Sequence, residues 1–142
     1  GSTGEFLSMS AEERRAVAKC VIDTVAGRVP VLIGAGAEST DEVIDNVAMA
    51  EELGADGTMI IPPFYSTPTW NELIHHFARI GDAATRPVMI YNNPPTANVD
   101  LTPPLVAALS YLPQIHYTGL QYTPAVSDEQ QGAYSTSPLP RS

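Results

Sequence analysis

The sequence is poor in basic residues, and it contains a single lysine, Lys19. Lysine and arginine together number 7, against 16 aspartate and glutamate residues, so the formal net charge at pH 7 is −9. A protein that binds nucleic acid needs clustered basic side chains to neutralise phosphates. The composition therefore argues against a nucleic-acid partner, and equally against a basic patch that would bind a membrane surface.

Cysteine and long apolar runs are also scarce. The one cysteine, Cys20, cannot form an internal disulfide, and its place on the apolar stripe of a predicted helix favours a small buried side chain. No segment approaches the roughly eighteen apolar residues of a transmembrane helix, and the N-terminus lacks the features of a signal peptide. We expect a cytoplasmic protein with no membrane partner.

Two adjacent histidines, His75 and His76, do not indicate a metal site. Neighbouring residues on a helix project about 100° apart, so the two rings cannot chelate one ion together. We expect solvent exposure for both, and no second carboxylate is spaced to form a dyad with Asp100. The sequence predicts neither a metal nor a cofactor.

The length of 142 residues suits one compact domain. It falls well short of the roughly 250 residues of an eight-stranded α/β barrel. The chain begins at Gly1 without an initiator methionine. We therefore expect missing upstream sequence, with a strand before the first loop, and a chain that is part of a larger unit.

Short apolar runs recur about every thirty residues, as strands covered on both faces do. These runs are Val29–Ile33, Thr58–Ile61, Pro87–Tyr91 and Ile115–Tyr117. Amphipathic helical patterns separate them, the first over 11–26. This alternation predicts parallel strands joined by right-handed crossovers, either as a segment of an α/β barrel or as a doubly wound sheet.

Capping signals place the helix ends. Serine or threonine precedes glutamate by three residues at three sites, which are Ser10 with Glu13, Ser39 with Glu42, and Thr69 with Glu72. Thr102 followed by proline offers a fourth start. Glycines are expected just beyond the helix ends at Gly27, Gly54 and Gly81.

The glycine-containing segment 34–39 raises the question of dinucleotide binding. It has two of the three glycines of the fingerprint, and it follows a later strand rather than the first. We therefore favour a tight strand-to-helix turn at Gly34 and Gly36 over a nucleotide site.

Three other segments carry more specific chemistry. Gly1–Glu5 combines glycines with two hydroxyls and could cradle a small carboxylate. Pro62–Pro68 and Tyr91–Thr96 each follow a predicted strand and carry a phenol. A Tyr–Thr–Tyr chain of hydroxyls could relay protons. The residues alone favour a simpler interpretation, in which the tyrosines are amphipathic plugs at strand ends.

Together the three segments Gly-Ser-Thr-Gly-Glu, Pro-Pro-Phe-Tyr-Ser-Thr-Pro and Tyr-Asn-Asn-Pro resemble the dihydrodipicolinate synthase and N-acetylneuraminate lyase family, in the same order and at similar separations. The resemblance covers residues 1–117. It implies an eight-stranded TIM barrel, of which this chain would hold the loop after strand two through strand six. It also implies a pyruvate-like 2-oxo acid substrate, a lysine imine and a homotetramer.

The same resemblance implies roles for individual residues. Ser2 and Thr3 would hold the carboxylate of the 2-oxo acid, and Thr3 would also belong to the proton relay. Tyr91 would move protons at the imine carbon. Tyr65 would complete the relay, typically in the site of a neighbouring subunit. Thr96 stands where the synthases carry an arginine for the aldehyde substrate, which makes a sugar-acid aldolase or a dehydratase an open alternative.

The lysine is the main departure from the family pattern. Carrying the register forward from Tyr91 places it at Gly119, where no amine exists. Lys19 lies on the polar face of a predicted helix in the outer ring and cannot replace it. We expect a fragment of a class I aldolase-type lyase that is inactive as given. The alternative is a non-catalytic protein, either a 2-oxo acid-binding partner or a remnant without function.

The apolar periodicity and the resemblance both stop after Tyr117. Residues 118–142 end in a run rich in Ser, Thr and Pro, which predicts a disordered tail following a partial barrel over 1–117. A frameshift in the coding sequence is one hypothesis and an evolved tail is the other. Re-sequencing the DNA across codons 114–142 would distinguish them, because a corrected frame should restore the lysine.

Overall fold

The computed structural model describes residues 4–120, and for 117–120 it describes the backbone alone. Ser2, Thr3 and the tail from residue 121 onward lie outside the described residues. In chain order the elements are a short 3-10 turn at Phe6–Ser8, then α1 (Ala11–Val25), β1 (Leu32–Gly34), α2 (Thr40–Glu52), β2 (Gly57–Ile60), α3 (Trp70–Ala83), β3 (Val88–Asn92), α4 (Pro94–Ala97), α5 (Pro103–Leu109) and β4 (Ile115–Leu120).

The four strands form one parallel sheet in the order β1-β2-β3-β4. Each predicted strand is present, although β1 begins at Leu32 rather than Val29. The last strand continues to Leu120, beyond the end predicted at Tyr117. The fold is therefore α/β with helical crossovers between parallel neighbours, as the alternating pattern predicts.

The predicted capping residues begin four of the helices; Thr102 precedes α5 without a side-chain cap, and the other three cap with their side chains. Ser10 and Glu13 form a reciprocal capping box on α1, and Thr69 and Glu72 form another on α3. Ser39 accepts a hydrogen bond from the backbone N–H of Glu42 at the start of α2. These side chains satisfy N–H groups that have no partner within the helix, which explains where each helix begins.

The glycines at the helix ends follow the prediction in two of three cases. Gly27 (φ 72°) and Gly54 (φ 93°) have the left-handed backbone that favours glycine. Gly81 instead lies inside α3, so the prediction that it ends a helix was wrong. A Cβ at this position would collide with the carbonyl oxygen of Pro113, which shows that close packing of α3 against the chain before β4 requires glycine.

The core lies between the sheet and the helices that cover one of its faces. Its fully buried members include Phe77, Ile80, Val88 and Ile90. Strand β3 alternates in burial, with Val88, Ile90 and Asn92 turned toward the core. The other face of the sheet carries Met89 and Tyr91, which are half-buried.

Helix α1 contributes little to this core. Of its 15 residues only Ala18 is buried. Cys20 is exposed, so the prediction of a buried cysteine was wrong. Val17 and Val21 on the same helix remain 50% and 42% exposed. The apolar stripe of α1 is present as predicted, but the described residues leave much of it uncovered.

Across residues 4–120 we find no helix that combines the length and the apolar character needed to cross a membrane.

Candidate functional site

The loops that follow the parallel strands meet at one edge of the sheet, where α/β proteins place their ligand sites. The rings of Phe6 and Phe64 stack edge to face with centroids 6.0 Å apart, which joins the first loop to the loop after β2. The side-chain amide of Asn98 donates to the carbonyl of Phe64 at 2.9 Å, which joins that loop to the one after β3. The described chain just after the first segment, at Phe6, the loop after β2 and the loop after β3 therefore belong to one region.

A cavity of about 240 Å³ opens beside these loops. Its lining is largely apolar. It combines the first loop and α1 with the sheet face that carries Met89 and Tyr91, which we call the inner face. The lining residues are Gly4, Phe6, Met9, Arg14, Val17, Ala18, Val21, Leu32, Ile33, Gly34, Gly36, Met59, Ile61 and Tyr91. Among these described residues Tyr91 contributes a phenol and Arg14 a guanidinium, so two polar groups stand at a largely apolar surface.

Strand register places Tyr91 beside the position predicted for the lysine. In the ladder between β3 and β4, Tyr91 pairs with Gly119 and Ile90 pairs with Thr118. Residues paired in this way lie on the same face of a sheet. Position 119 therefore shares the inner face with Tyr91, whereas position 118 shares the opposite face with the buried Ile90.

The other phenol, Tyr65, lies outside the cavity. Its residue is 88% exposed, on the loop between β2 and α3. The structure of this chain therefore does not bring Tyr65 and Tyr91 together into one cavity. Thr96 is also exposed and absent from the cavity lining, and its hydroxyl accepts a hydrogen bond from the side-chain amide of Asn93 at 2.9 Å.

Glu38 holds the loop that carries Tyr65, a role that the sequence did not indicate. Its Oε2 accepts from the backbone N–H groups of Phe64 (2.9 Å) and Tyr65 (3.0 Å). Its Oε1 accepts from the backbone N–H (3.0 Å) and the hydroxyl (2.8 Å) of Ser66. The acceptor lies 26 to 28 residues away from its donors, so no short motif could reveal the contact.

The charge on this carboxylate is stabilised by its donors. Partial burial of Glu38 acts to raise its pKa, but the hydrogen bonds from the Tyr65 N–H, the Ser66 hydroxyl, and the N–H groups of Phe64 and Ser66 outweigh burial. The pKa of Glu38 is therefore held below its ordinary value. The carboxylate is ionised at neutral pH and accepts hydrogen bonds at full strength.

Two further polar residues shape the loops and were also missed. Asn92, at the end of β3, donates to Asp100 at 3.0 Å and accepts from the backbone N–H of Leu101 at 3.2 Å, which fixes the return of the chain toward α5. Arg14 donates to the carbonyl of Phe6 at 3.1 Å, and its guanidinium lies 5.8 Å from the centroid of that ring. Asn92 belongs to the Tyr-Asn-Asn-Pro segment, but its partners could not be read from it, and nothing in the charged run around Arg14 indicated its contact with Phe6.

The two histidines differ in environment. His75 is exposed as predicted, but His76 is 5% exposed, so the prediction for His76 was wrong. Its Nδ1 lies 2.8 Å from the hydroxyl of Thr40. Burial, and to a smaller extent the charge of Arg79, lower the pKa of His76, the charge of Glu38 acts in the opposite direction, and the net pKa is about 4. The ring is therefore neutral at physiological pH.

Neither histidine lies in a metal-binding cluster, because the described part of the chain has no group of three or more His, Cys, Asp or Glu side chains suited to hold an ion. The glycines at 34 and 36 do not form the left-handed turn of a nucleotide loop, since neither has a positive φ. A Cβ on Gly36 would lie 2.8 Å from Cγ2 of Ile61, so close packing explains that glycine.

Comparison with known proteins agrees with the segments and the sheet. A family model described as "Dihydrodipicolinate synthetase family" matches residues 1–121. The 4-hydroxy-tetrahydrodipicolinate synthase of Hyphomonas neptunium is 46% identical over 115 residues, which cover 81% of this chain and 39% of that protein. The chain thus spans about two fifths of the length of this relative.

Solved structures give the same result. A pyruvate complex of the Escherichia coli K12 prophage protein YagE, which belongs to the dihydrodipicolinic acid synthase family, is 45% identical with a TM-score of 0.75, covering 78% of this chain and 37% of that one. The dihydrodipicolinate synthase of Acinetobacter baumannii, also complexed with pyruvate, is 35% identical with a TM-score of 0.82. The match covers 84% of this chain and 41% of that one. From its sequence segments, its parallel sheet and these matches, the chain belongs to the dihydrodipicolinate synthetase family.

Proposed function

We propose that this chain supplies the acid–base face of a 2-oxo acid site in a lyase that works through a lysine imine, and that it does not turn over as given. The observation that carries the proposal is the register that places Tyr91 and Gly119 side by side on the cavity face of the sheet. A phenol at that place can give and take protons at the imine carbon as the imine forms. Glycine at 119 leaves no amine to form the imine.

Pyruvate is the substrate class that this proposal favours. Two solved relatives bind it, and the cavity of about 240 Å³ is suited to a small ligand. We further propose that the four strands correspond to strands three to six of a TIM barrel. The exposure of Tyr65 fits a phenol that acts in the site of a neighbouring copy, as in a homotetramer.

Restoring the amine tests this proposal directly. The Gly119→Lys variant should form an imine with pyruvate that borohydride reduces to a stable secondary amine, which mass spectrometry of peptides would locate at residue 119. The unaltered chain should give no adduct. Thr118→Lys is the matched control, because its lysine lies on the face of the buried Ile90 rather than on the cavity face.

Three outcomes would count against the proposal. An adduct on Lys19 of the unaltered chain would contradict the claim that this chain lacks a reactive amine. Equal labelling of Gly119→Lys and Thr118→Lys would show that the cavity face has no special reactivity. Adduct formation in Gly119→Lys that is unaffected by Tyr91→Phe would remove Tyr91 from the proton transfer that forms the imine.

The second candidate is a protein that binds a 2-oxo acid without catalysis. The largely apolar cavity, with Tyr91 and Arg14 among its described lining residues, favours it as well, since binding needs no lysine. Saturable binding of pyruvate to the unaltered chain, lost in Tyr91→Phe, would support this candidate. Binding would be followed by the chemical shifts of residues that line the cavity.

A further inference from the structure

We infer that Glu38 is a positioning residue that sets the conformation of the loop carrying Tyr65, and this inference rests on the role proposed for Tyr65. One carboxylate accepts hydrogen bonds from three successive backbone N–H groups, at Phe64, Tyr65 and Ser66, and from the hydroxyl of Ser66. All four distances fall between 2.8 and 3.0 Å. The carboxylate thus occupies the concave anion site that successive N–H groups create.

The phenol of Tyr65 has no packing of its own to orient it, because the residue is 88% exposed. Its direction must therefore come from the backbone of residues 64–66. The flanking prolines at 62, 63 and 68 lack N–H groups and can donate no backbone hydrogen bond. The donors within 64–66 are consequently the main means by which this loop can be tied to the rest of the fold.

The loop is held from three sides, and Glu38 provides the charged contact. The amide of Asn98 donates to the carbonyl of Phe64, and the ring of Phe64 contacts the ring of Phe6. These are a neutral hydrogen bond and an aromatic contact. Hydrogen bonds to a charged acceptor are roughly twice as strong as neutral ones. We therefore expect the removal of charge at Glu38 to make residues 64–66 more mobile, even though the contacts of Phe64 with Asn98 and Phe6 remain.

Glutamine at position 38 is a sharp test because its shape is nearly unchanged. Both oxygens of Glu38 face donors, Oε2 toward Phe64 and Tyr65, and Oε1 toward Ser66. In either orientation of the amide, the NH₂ group must face at least one donor, so one hydrogen bond becomes a repulsion. Glu42→Gln is the matched control, since Glu42 is an exposed carboxylate one turn further along the chain.

The experiment is amide hydrogen exchange followed by NMR on the full chain. In Glu38→Gln, protection of the amides at 64–66 should fall about tenfold or more, because hydrogen bonds to charged groups contribute on that scale. Protection at Val88 and Ile90 in the core should remain, as should protection at 64–66 in Glu42→Gln. Unchanged protection at 64–66 in Glu38→Gln would overturn the inference.

A pH profile of the unaltered chain provides a second test that needs no variant at position 38. The amide shifts of residues 64–66 should titrate together, with a midpoint below the ordinary pKa of glutamate. His76 on α3 faces Glu38 and titrates near pH 4, with Arg79 beside it, so the profile is repeated in His76→Gln. Loss of the shared midpoint in that variant would assign it to the histidine and overturn the inference.

Failure of this inference can be distinguished from failure of the proposed function. The amide measurements concern the loop alone and require neither pyruvate nor a lysine. Failure of Gly119→Lys to form an adduct would remove the catalytic reason for holding Tyr65 while leaving the amide result intact. Unchanged protection at 64–66 would overturn the positioning role whatever happens at residue 119.

Discussion

Helices α1 and α3 differ greatly in what they bury, although their caps and lengths are alike; α3 is the more strongly amphipathic of the two. Both begin with a reciprocal capping box, and they have 15 and 14 residues. Helix α3 buries five residues against the sheet and its neighbours, whereas α1 buries one. A capping box determines where a helix begins, but the contribution of the helix to stability depends on what its apolar face packs against.

The strands explain the difference. Helix α3 connects β2 to β3, which are both paired on two sides. Helix α1 lies before β1, and in the part of the chain that the structure describes β1 pairs with β2 alone. Leu32 of β1 is consequently 44% exposed beside Val17 and Val21 of the helix. Among the described residues, most of the large apolar side chains of α3 are buried, whereas those of α1 and β1 stay partly or largely exposed.

The largest predicted effect comes from shortening one side chain in each region and comparing the losses of stability. Phe77→Ala removes a ring that is fully buried in α3 and should lower the free energy of unfolding by about 3–5 kcal/mol. Val21→Ala in α1 should cost about 1 kcal/mol or less, because the side chain is already 42% exposed. Urea denaturation measures both changes. Similar losses in the two variants would show that α1 is packed as firmly as α3.

Acid provides the next test, through His76 in α3. The folded protein favours the neutral ring, with a pKa of about 4 against an ordinary 6.5. The resulting stability is fully present above pH 6.5 and is lost as the pH falls toward 4. Protonation of the unfolded chain should reduce the free energy of unfolding by about 3 kcal/mol across this range.

As the pH falls from 7 to 5, the loss of stability caused by His76 comes before Glu38 takes up a proton, because the pKa of Glu38 lies below the ordinary value for glutamate. His76→Leu should flatten the dependence in that window. His75→Gln is the control, since His75 is exposed on the same helix and should leave the slope unchanged. A slope that survives in His76→Leu would assign the acid sensitivity to other groups.

The contrast between Glu38 and the helix caps shows what a sequence can reveal. The strands, their parallel order and the caps at Ser10 and Thr69 depend on periodicity and short spacing, so they could be predicted. The role expected of Tyr91 came from the resemblance of its Tyr-Asn-Asn-Pro segment to a known family, since the residues alone favoured an amphipathic plug at a strand end. Glu38 acts on residues 26 or more positions away, and its contact arises only when two loops meet in the folded chain.

Burial of a helical residue is a second property that the sequence of one helix could not predict. Cys20 and His76 were both assigned from the pattern of their own helix, and both assignments were wrong. A helical stripe gives the direction of a side chain but not whether another element covers it. Thr40, which contacts His76, lies 36 residues earlier, and among the described residues Cys20 stays exposed although it lies on the predicted stripe.

The smallest expected effect on stability concerns the surface that α1 and β1 leave open. An unpaired strand edge beside apolar side chains is a site for association between chains. Leu32→Lys places a charge at that edge, where the wild-type side chain is already 44% exposed, so the free energy of unfolding should change by roughly 0.5 kcal/mol or less. Its effect should instead appear as a shift toward monomer in sedimentation velocity at micromolar concentration.

Tyr111→Lys is the matched control for this last variant. Tyr111 is 90% exposed and follows α5, at a distance in sequence from the α1 and β1 region. Both substitutions add one positive charge to a chain of net charge −9, so each weakens the general repulsion between copies equally. A shift toward monomer in Leu32→Lys alone would therefore locate the contact at the β1 edge. Equal sedimentation of the two variants would exclude that edge as the site of association.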